Sequence, residues 1–281
     1  MKRRNFIGRL VILCLLFAPK LLWSQDTVLR MTDADLKKTS EVVVLNYGDD
    51  YQYTIYVNME PVFSGTGLSA TEWTGYPLKS GTNEVQFTAV ALSTESGSQV
   101  HCELTVVRAG QPSGEEWRAA FRDLTKIEKT FVFRLDDPAQ QNPPFDQLGI
   151  EKGNLTNELK QCSLKIAQAL GNRNADKLAE LTGSDKNAVK SGYPSWFFDS
   201  AMQAKVTVVE KPEDTELLAG GRFAVVRPSH EFARQHPNAG LVAVQDAKTG
   251  AQILKNCLVF CRVNNHVCLF ASRSNVVRVK L

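Results

Sequence analysis

An all-β sandwich followed by an α+β domain is the fold the sequence predicts, on three observations. Residues 41–107 hold short runs rich in Val, Thr, Tyr and Phe, among them EVVVLNY, YQYTIYVN and VHCELTVVR, separated by GDD, SGTG, KSGTN and ESGS. Strands interrupted at regular spacing by Gly, Ser and Asn turns are the pattern of two packed antiparallel sheets. Residues 155–171 then repeat apolar side chains at the helical period, and from residue 205 onward the texture returns to strands. Helices first and an antiparallel meander after them place the helices on one face of a curved sheet.

At the N-terminus, MKRRNFIGRLVILCLLFAPKLLWSQDT has a basic head (Lys2, Arg3, Arg4), an apolar run from Leu10 to Ala18 and small or polar residues around Ser24. That is the order of a secretory signal. Residues 1–24 are therefore read as a signal peptide, and the chain as exported, periplasmic or extracellular, and starting near Gln25. The alternative is an N-terminal membrane anchor, but Lys20 interrupts the apolar run short of the ~20 residues a span needs. No span is expected in the mature chain. Cys14 follows Val-Ile-Leu rather than a small residue, so it does not match a lipoprotein-type signal.

Removing residues 1–25 takes away five bases and no acid, leaving 28 bases against 30 acids. A near-neutral chain without Lys/Arg runs excludes nucleic acid as a partner. The charge is uneven: residues 41–110 carry eight acids and two bases, whereas 151–281 carry twelve acids and eighteen bases. Two solvated surfaces, two mutually attracting modules, or a basic face for an anionic envelope polysaccharide each account for this asymmetry.

After an N-terminal extension over residues 25–40, the sandwich is read over 41–110. Tyr53, Ile55 and Val57 alternate with Thr54, Tyr56 and Asn58, and Val85, Phe87 and Ala89 alternate with Glu84, Gln86 and Thr88. Each of these strands thus has one face to bury. The pattern YVNMEPVF, followed by YPLKSGTNEVQFTA, resembles the immunoglobulin-like sandwich modules of bacterial secreted proteins over about seventy residues. That resemblance implies binding or spacing, with no particular ligand.

Residues 111–153 read as a junction. Trp117, Phe121, Leu124 and Ile127 fall at helical spacing in EEWRAAFRDLTKIEK, which predicts a helix whose solvated face carries Glu115, Glu116, Asp123 and Glu128. The Pro-, Gln- and Asn-rich stretch that follows predicts a linker. The α+β domain is then read over residues 154–281. Leu155, Leu159, Cys162, Ile166 and Leu170 line one face of a helix that stops at Gly171. ADKLAELTG predicts a second helix, and YPSWFFDSAMQAK a third with Pro194 in its first turn. Helices followed by these strands resemble the nuclear-transport-factor-like or cystatin-like cone fold. That fold houses enzymes and binding domains alike, so it implies no activity.

Three of the chain's six cysteines fall in NCLVFCRVNNHVCLF, residues 256–270. Asn tolerates positive φ, so Asn264–Asn265 suits a two-residue hairpin turn. With that turn, Cys261 faces Cys268 across the ladder, and Cys257, Val259, Cys261, Val263, His266, Cys268 and Phe270 share one face. Leu258, Phe260, Val267 and Leu269 take the other. With both faces apolar, the hairpin is expected at the centre of a sheet covered on both sides. The spacing lacks the close loop-borne pairs of structural zinc, so no metal is implied. A disulfide between Cys261 and Cys268 and a set of buried free thiols both remain open.

Few other residues suggest chemistry. PSHEFARQH resembles the His-Glu-x-x-His metalloprotease signature, but His236 arrives too late for a shared metal with His230. It reads as a surface connection, with His230 and Glu231 as candidates at a pocket mouth. Asp246 joins them if the α+β cavity serves an enzyme of hydrolase or isomerase type. Tyr56, Trp73 and Tyr76 are candidates for a sugar-binding platform or, alternatively, caps on the sandwich core. Tyr193, Trp196, Phe197 and Phe198 read as packing between helix and sheet. No phosphate loop, nucleophile elbow or dinucleotide fingerprint is present, and no cofactor is implied. The resulting expectation is an exported, non-catalytic binding or scaffold protein of the bacterial envelope, with a polysaccharide or protein partner and no signal that sets its oligomeric state.

Overall fold

A computed structural model describes residues 27–30, 40–48, 50–66, 69–74, 78–93, 99–108, 114–136, 145–150, 154–199, 203–236, 239–272 and 275–281. The predicted signal segment lies outside them. The chain opens with β1 (Thr27–Arg30). Eight strands then build two four-stranded antiparallel sheets: β2 (Glu41–Gly48), β3 (Tyr51–Val57), β4 (Glu60–Thr66), β5 (Ser69–Thr74), β6 (Gly81–Ala91), β7 (Gln99–Val107), β8 (Glu115–Arg122) and β9 (Lys126–Leu135). One sheet has the order β5-β2-β7-β8 and the other β4-β3-β6-β9. Val42, Val44, Val100, Cys102 and Leu104 of the first sheet and Tyr53, Ile55, Val85, Phe87 and Phe131 of the second are buried in one cluster. The expected inward alternation of Tyr53, Ile55 and Val57 is present, since all three are buried.

The helix expected over residues 115–129 is instead two strands, β8 and β9, that lie in different sheets. Trp117, Ala119 and Phe121 point partly inward while Glu116, Arg118, Ala120 and Arg122 are exposed, a period of two. Strand β8 adds to β7 in one sheet and β9 adds to β6 in the other, so the chain crosses between the sheets here, extends both and carries the sandwich to Leu135. Asp123 turns the chain with φ 55°. The apolar spacing fits both periods, and the long-range partners decide for strands.

The remaining elements are α1 (Leu155–Gly171), α2 (Ala175–Thr182), α3 (Lys186–Ser191), β10 (Ala204–Val208), β11 (Thr215–Ala219), β12 (Phe223–Pro228), α4 (His230–Gln235), β13 (Val242–Asp246), β14 (Gln252–Lys255), β15 (Leu258–Val263), β16 (His266–Ser272) and β17 (Asn275–Arg278). In α1 the five apolar positions read from the sequence are buried. Asn174 caps α2 by accepting the Lys177 N–H, and Gly183 ends it in the left-handed region at φ 58°. The third helix expected from Tyr193 does not form: residues 195–198 are turns. Asp185 instead caps the short α3 upstream, accepting the N–H groups of Asn187 and Ala188.

The expected single curved sheet is two sheets. Six antiparallel strands run β1-β17-β16-β15-β12-β11, and three run β10-β13-β14. β1 pairs with β17, so a strand from the start of the chain completes the sheet built by its end. The helix-side face of the six-stranded sheet presents Ala224, Val226, Leu258, Phe260, Leu269 and Val277 to a core shared with α1, α2 and the three-stranded sheet. Phe223, Val225, Val259, Cys261, Val263, Cys268, Phe270 and Val276 occupy the opposite face and join the sandwich core. One apolar cluster therefore runs without a break from the sandwich into this face.

Candidate functional site

The cysteine hairpin has the register read from the sequence. Val263 faces His266, Arg262 faces Val267 and Cys261 faces Cys268. Asn264 and Asn265 have φ 48° and 63°, as a two-residue turn of this hand requires. β15 lies inside the sheet between β12 and β16, and both of its faces are buried. Cys102, Cys162, Cys257, Cys261 and Cys268 are buried free thiols. Burial pushes the Cys257 and Cys268 thiols up to about 11 and drives Cys261 higher still. Thiols so desolvated are poor nucleophiles and poor metal ligands, because the thiolate is the reactive form. Among the described residues no group of three or more His, Cys, Asp or Glu side chains is placed to hold a metal ion.

What the cysteine face covers is a polar seam between the sandwich and the six-stranded sheet. Arg227 on β12 donates from Nε to Glu216 Oε1 at 2.6 Å, and Glu216 is its partner in the β11–β12 ladder. Arg227 Nη1 reaches into the sandwich, donating to Thr54 Oγ1 at 2.6 Å and Ser64 Oγ at 2.9 Å. The Ser64 hydroxyl donates in turn to the Tyr53 carbonyl at 2.6 Å, and the Ser64 N–H points to Cys257 Sγ at 3.4 Å. Gln52 Nε2 donates to the Pro228 carbonyl at 2.9 Å. Thr54 and Gln52 belong to the outward face of β3, yet both are buried, because the six-stranded sheet covers that face. A guanidinium with a carboxylate and two hydroxyls in fixed positions sets orientation as well as energy.

A second contact lies along the same seam. Glu60, at the start of β4, meets the β11–β12 turn, where its carboxylate accepts from Arg222 Nε at 3.2 Å and from the Phe223 N–H at 3.3 Å. Gly220 makes this approach possible: a Cβ there would stand 2.8 Å from Pro61 Cδ and 3.0 Å from Glu60 Cα.

The residues singled out in the sequence are dispersed. Tyr56 is half-buried at the seam beside Arg227 and Glu216, and burial raises its hydroxyl pKa. The Trp73 side chain and all of Tyr76 lie outside the described residues. PSHEFARQH forms the short helix α4, capped by Ser229 Oγ accepting the Phe232 N–H at 3.2 Å. Glu231 is exposed and held within that helix by Gln235 and Arg234, which lower its pKa. The His236 ring lies tilted against Phe232 with centroids 4.5 Å apart. Asp246 is buried in the β13–β14 turn, where the Thr249 hydroxyl and the Lys248 N–H hold its carboxylate below its usual range. Of the aromatic group, Phe197 is fully buried, stacked 4.7 Å from Tyr193 and edge-on to Phe198 at 4.8 Å.

Between α1 and the three-stranded sheet, Ile166, Ala167, Leu170, Leu241, Val242 and Leu258 line an apolar packing spot with no room for a water molecule. Lys255 borders it, and burial lowers its pKa. Sequence reasoning missed Arg227, Glu216, Glu60 and Arg222. The signal available was a lone Arg inside the apolar strand FAVVRP, a charge that demands a buried partner. No family model matches this chain, and neither does any curated protein or solved structure.

Proposed function

We propose that this protein is an exported, non-catalytic binding or scaffold protein of the bacterial cell envelope, whose sandwich and α+β parts act as one rigid body. The observation that supports it is the seam. Arg227, Glu216, Thr54, Ser64, Glu60 and Arg222 are all engaged at the junction of the two parts, so this buried polar region is used for cohesion. The candidates for catalysis have structural duties as well: Glu231 ties a helix turn and Asp246 ties a hairpin turn. On this reading the sandwich follows the immunoglobulin-like plan and the α+β part the cone plan, as two modules fused through the seam. The basic head and apolar run before Ser24 direct the chain out of the cytoplasm, and β1 takes its place beside β17 after cleavage. No helix of the described residues is long and apolar enough to cross a membrane.

The test is expression of the full sequence in a bacterial host, followed by fractionation, intact mass and binding to isolated envelope polysaccharide. The reading expects a product beginning near Gln25 outside the cytoplasm that retains polysaccharide and turns nothing over. A membrane-bound product retaining Met1–Lys20 contradicts the export reading. A turnover abolished by Glu231→Gln or Asp246→Asn in folded protein contradicts the non-catalytic one.

A further inference from the structure

The last turn of α1 approaches β10 at Gly171. A Cβ on Gly171 would lie 3.3 Å from Val206 Cγ1 and 3.6 Å from Val208 Cβ, so glycine opens the space beside this contact. An open cleft of about 440 Å³ lies here, lined by Gln168, Asn172, Val206, Val208, Glu210 and Lys211 as well as Gly171. Its size falls in the ~300–1,000 Å³ range of small-molecule sites. None of its four polar side chains has a hydrogen-bond or ion-pair partner among the described residues. This sets the cleft apart from the seam, where every charge is matched.

The lining has a definite chemistry. Val206, Val208 and Glu210 alternate along an extended stretch, which turns all three toward α1 and sends Lys211 to the rim. Val206 is 39% exposed, an apolar floor left open to solvent. Glu210 faces the C-terminal end of a seventeen-residue helix that carries no basic residue in its last turn. The partial negative charge of that end is thus reinforced by a carboxylate. Gln168 and Asn172 add amides that both donate and accept.

We infer that this cleft binds an amino sugar, with Glu210 on its ammonium, Gln168 and Asn172 on its hydroxyls, and Val206 and Val208 under the apolar C–H face of the ring. A neutral hexose lacks the charge, and an N-acetylated one replaces the ammonium with an amide that Glu210 has no reason to prefer. The assignment rests on the envelope-binding reading for the source of the sugar and on the cleft alone for its chemistry.

The experiment is a nuclear magnetic resonance titration of the full mature chain with glucosamine, N-acetylglucosamine and glucose, at a pH where the glucosamine amine is protonated. Glucosamine is expected to move the amide signals of Gln168, Gly171, Asn172, Val206 and Val208 and to bind at least tenfold more tightly than the other two. Glu210→Gln should erase that tenfold preference without changing the melting temperature, and Gly171→Leu, which fills the cleft, should abolish binding. Equal binding of the three sugars, shifts that map elsewhere, or an undiminished preference in Glu210→Gln overturns the inference. If Glu210→Gln still retains envelope polysaccharide as well as the parent does, the cleft assignment falls while the envelope-binding reading stands.

Discussion

The Glu60 carboxylate accepts the Arg222 Nε–H at 3.2 Å across the seam, joining the β3–β4 hairpin of the sandwich to the β11–β12 turn. The Glu60 side chain is 10% exposed and that of Arg222 24%, so water screens this pair less than it screens the ion pairs elsewhere on the surface. Removing Glu60 leaves the Arg222 guanidinium and the Arg222 and Phe223 backbone N–H groups without this acceptor. Glu60→Ala should therefore cost ~2–4 kcal/mol in urea unfolding. Gly220→Val should do similar harm by forcing the turn away from Pro61. A cost of a few tenths for both variants would show that the contact is peripheral.

Arg227 predicts a sharper asymmetry. Arg227→Met strands Glu216 and leaves two buried hydroxyls without their donor, for an expected loss of ~3–5 kcal/mol. Adding Glu216→Leu should recover part of that loss, because the orphaned carboxylate is gone. If the double variant is as unstable as the sum of the single ones, Glu216 and Arg227 do not act as a pair.

The five buried thiols should stay silent in the folded protein. Alkylation by iodoacetamide at pH 8 should modify fewer than one of Cys102, Cys162, Cys257, Cys261 and Cys268 per chain in buffer and all five in denaturant, read by mass. Rapid native labelling of Cys257 or Cys268 would contradict the burial described here. The thiol pKa values are raised on folding, so this contribution to stability is complete below the ordinary thiol pKa of ~8.5 and is lost as pH rises toward about 11.

Lys255 carries the opposite sign. Its folded-state pKa is lowered by burial, so below that value the folded protein holds a desolvated ammonium that the unfolded chain keeps in water. Lys255→Met should stabilise the protein at neutral pH by ~0.5–2 kcal/mol. The gain should shrink as pH rises toward ~10.4, where the unfolded lysine also loses its proton. An advantage independent of pH would mean that packing, not charge, is responsible.

The hairpin turn and the misread junction show what the sequence makes legible. Asn264–Asn265 declared its turn because only a few residue types accept positive φ twice in succession, and the register of Cys261 and Cys268 followed by counting. The stretch from Trp117 to Ile127 was ambiguous because its apolar residues satisfy the helical period, while Trp117, Ala119 and Phe121 also satisfy a period of two. Strand β7, which settles the matter, pairs from outside that window. The seam was less legible still: Thr54 and Arg227 stand 173 residues apart, and nothing local marks one as the acceptor of the other. Even the buried outward face of β3 looks like an ordinary solvated face until the six-stranded sheet is laid over it.

The central claim, that the seam makes one body of the sandwich and the α+β part, is tested most directly by scanning calorimetry of the purified chain. The account predicts a single transition whose calorimetric and van't Hoff enthalpies agree, and whose midpoint falls on Glu60→Ala or Arg227→Met substitution. Two separate transitions in the parent protein, with neither moved by those substitutions, would contradict it.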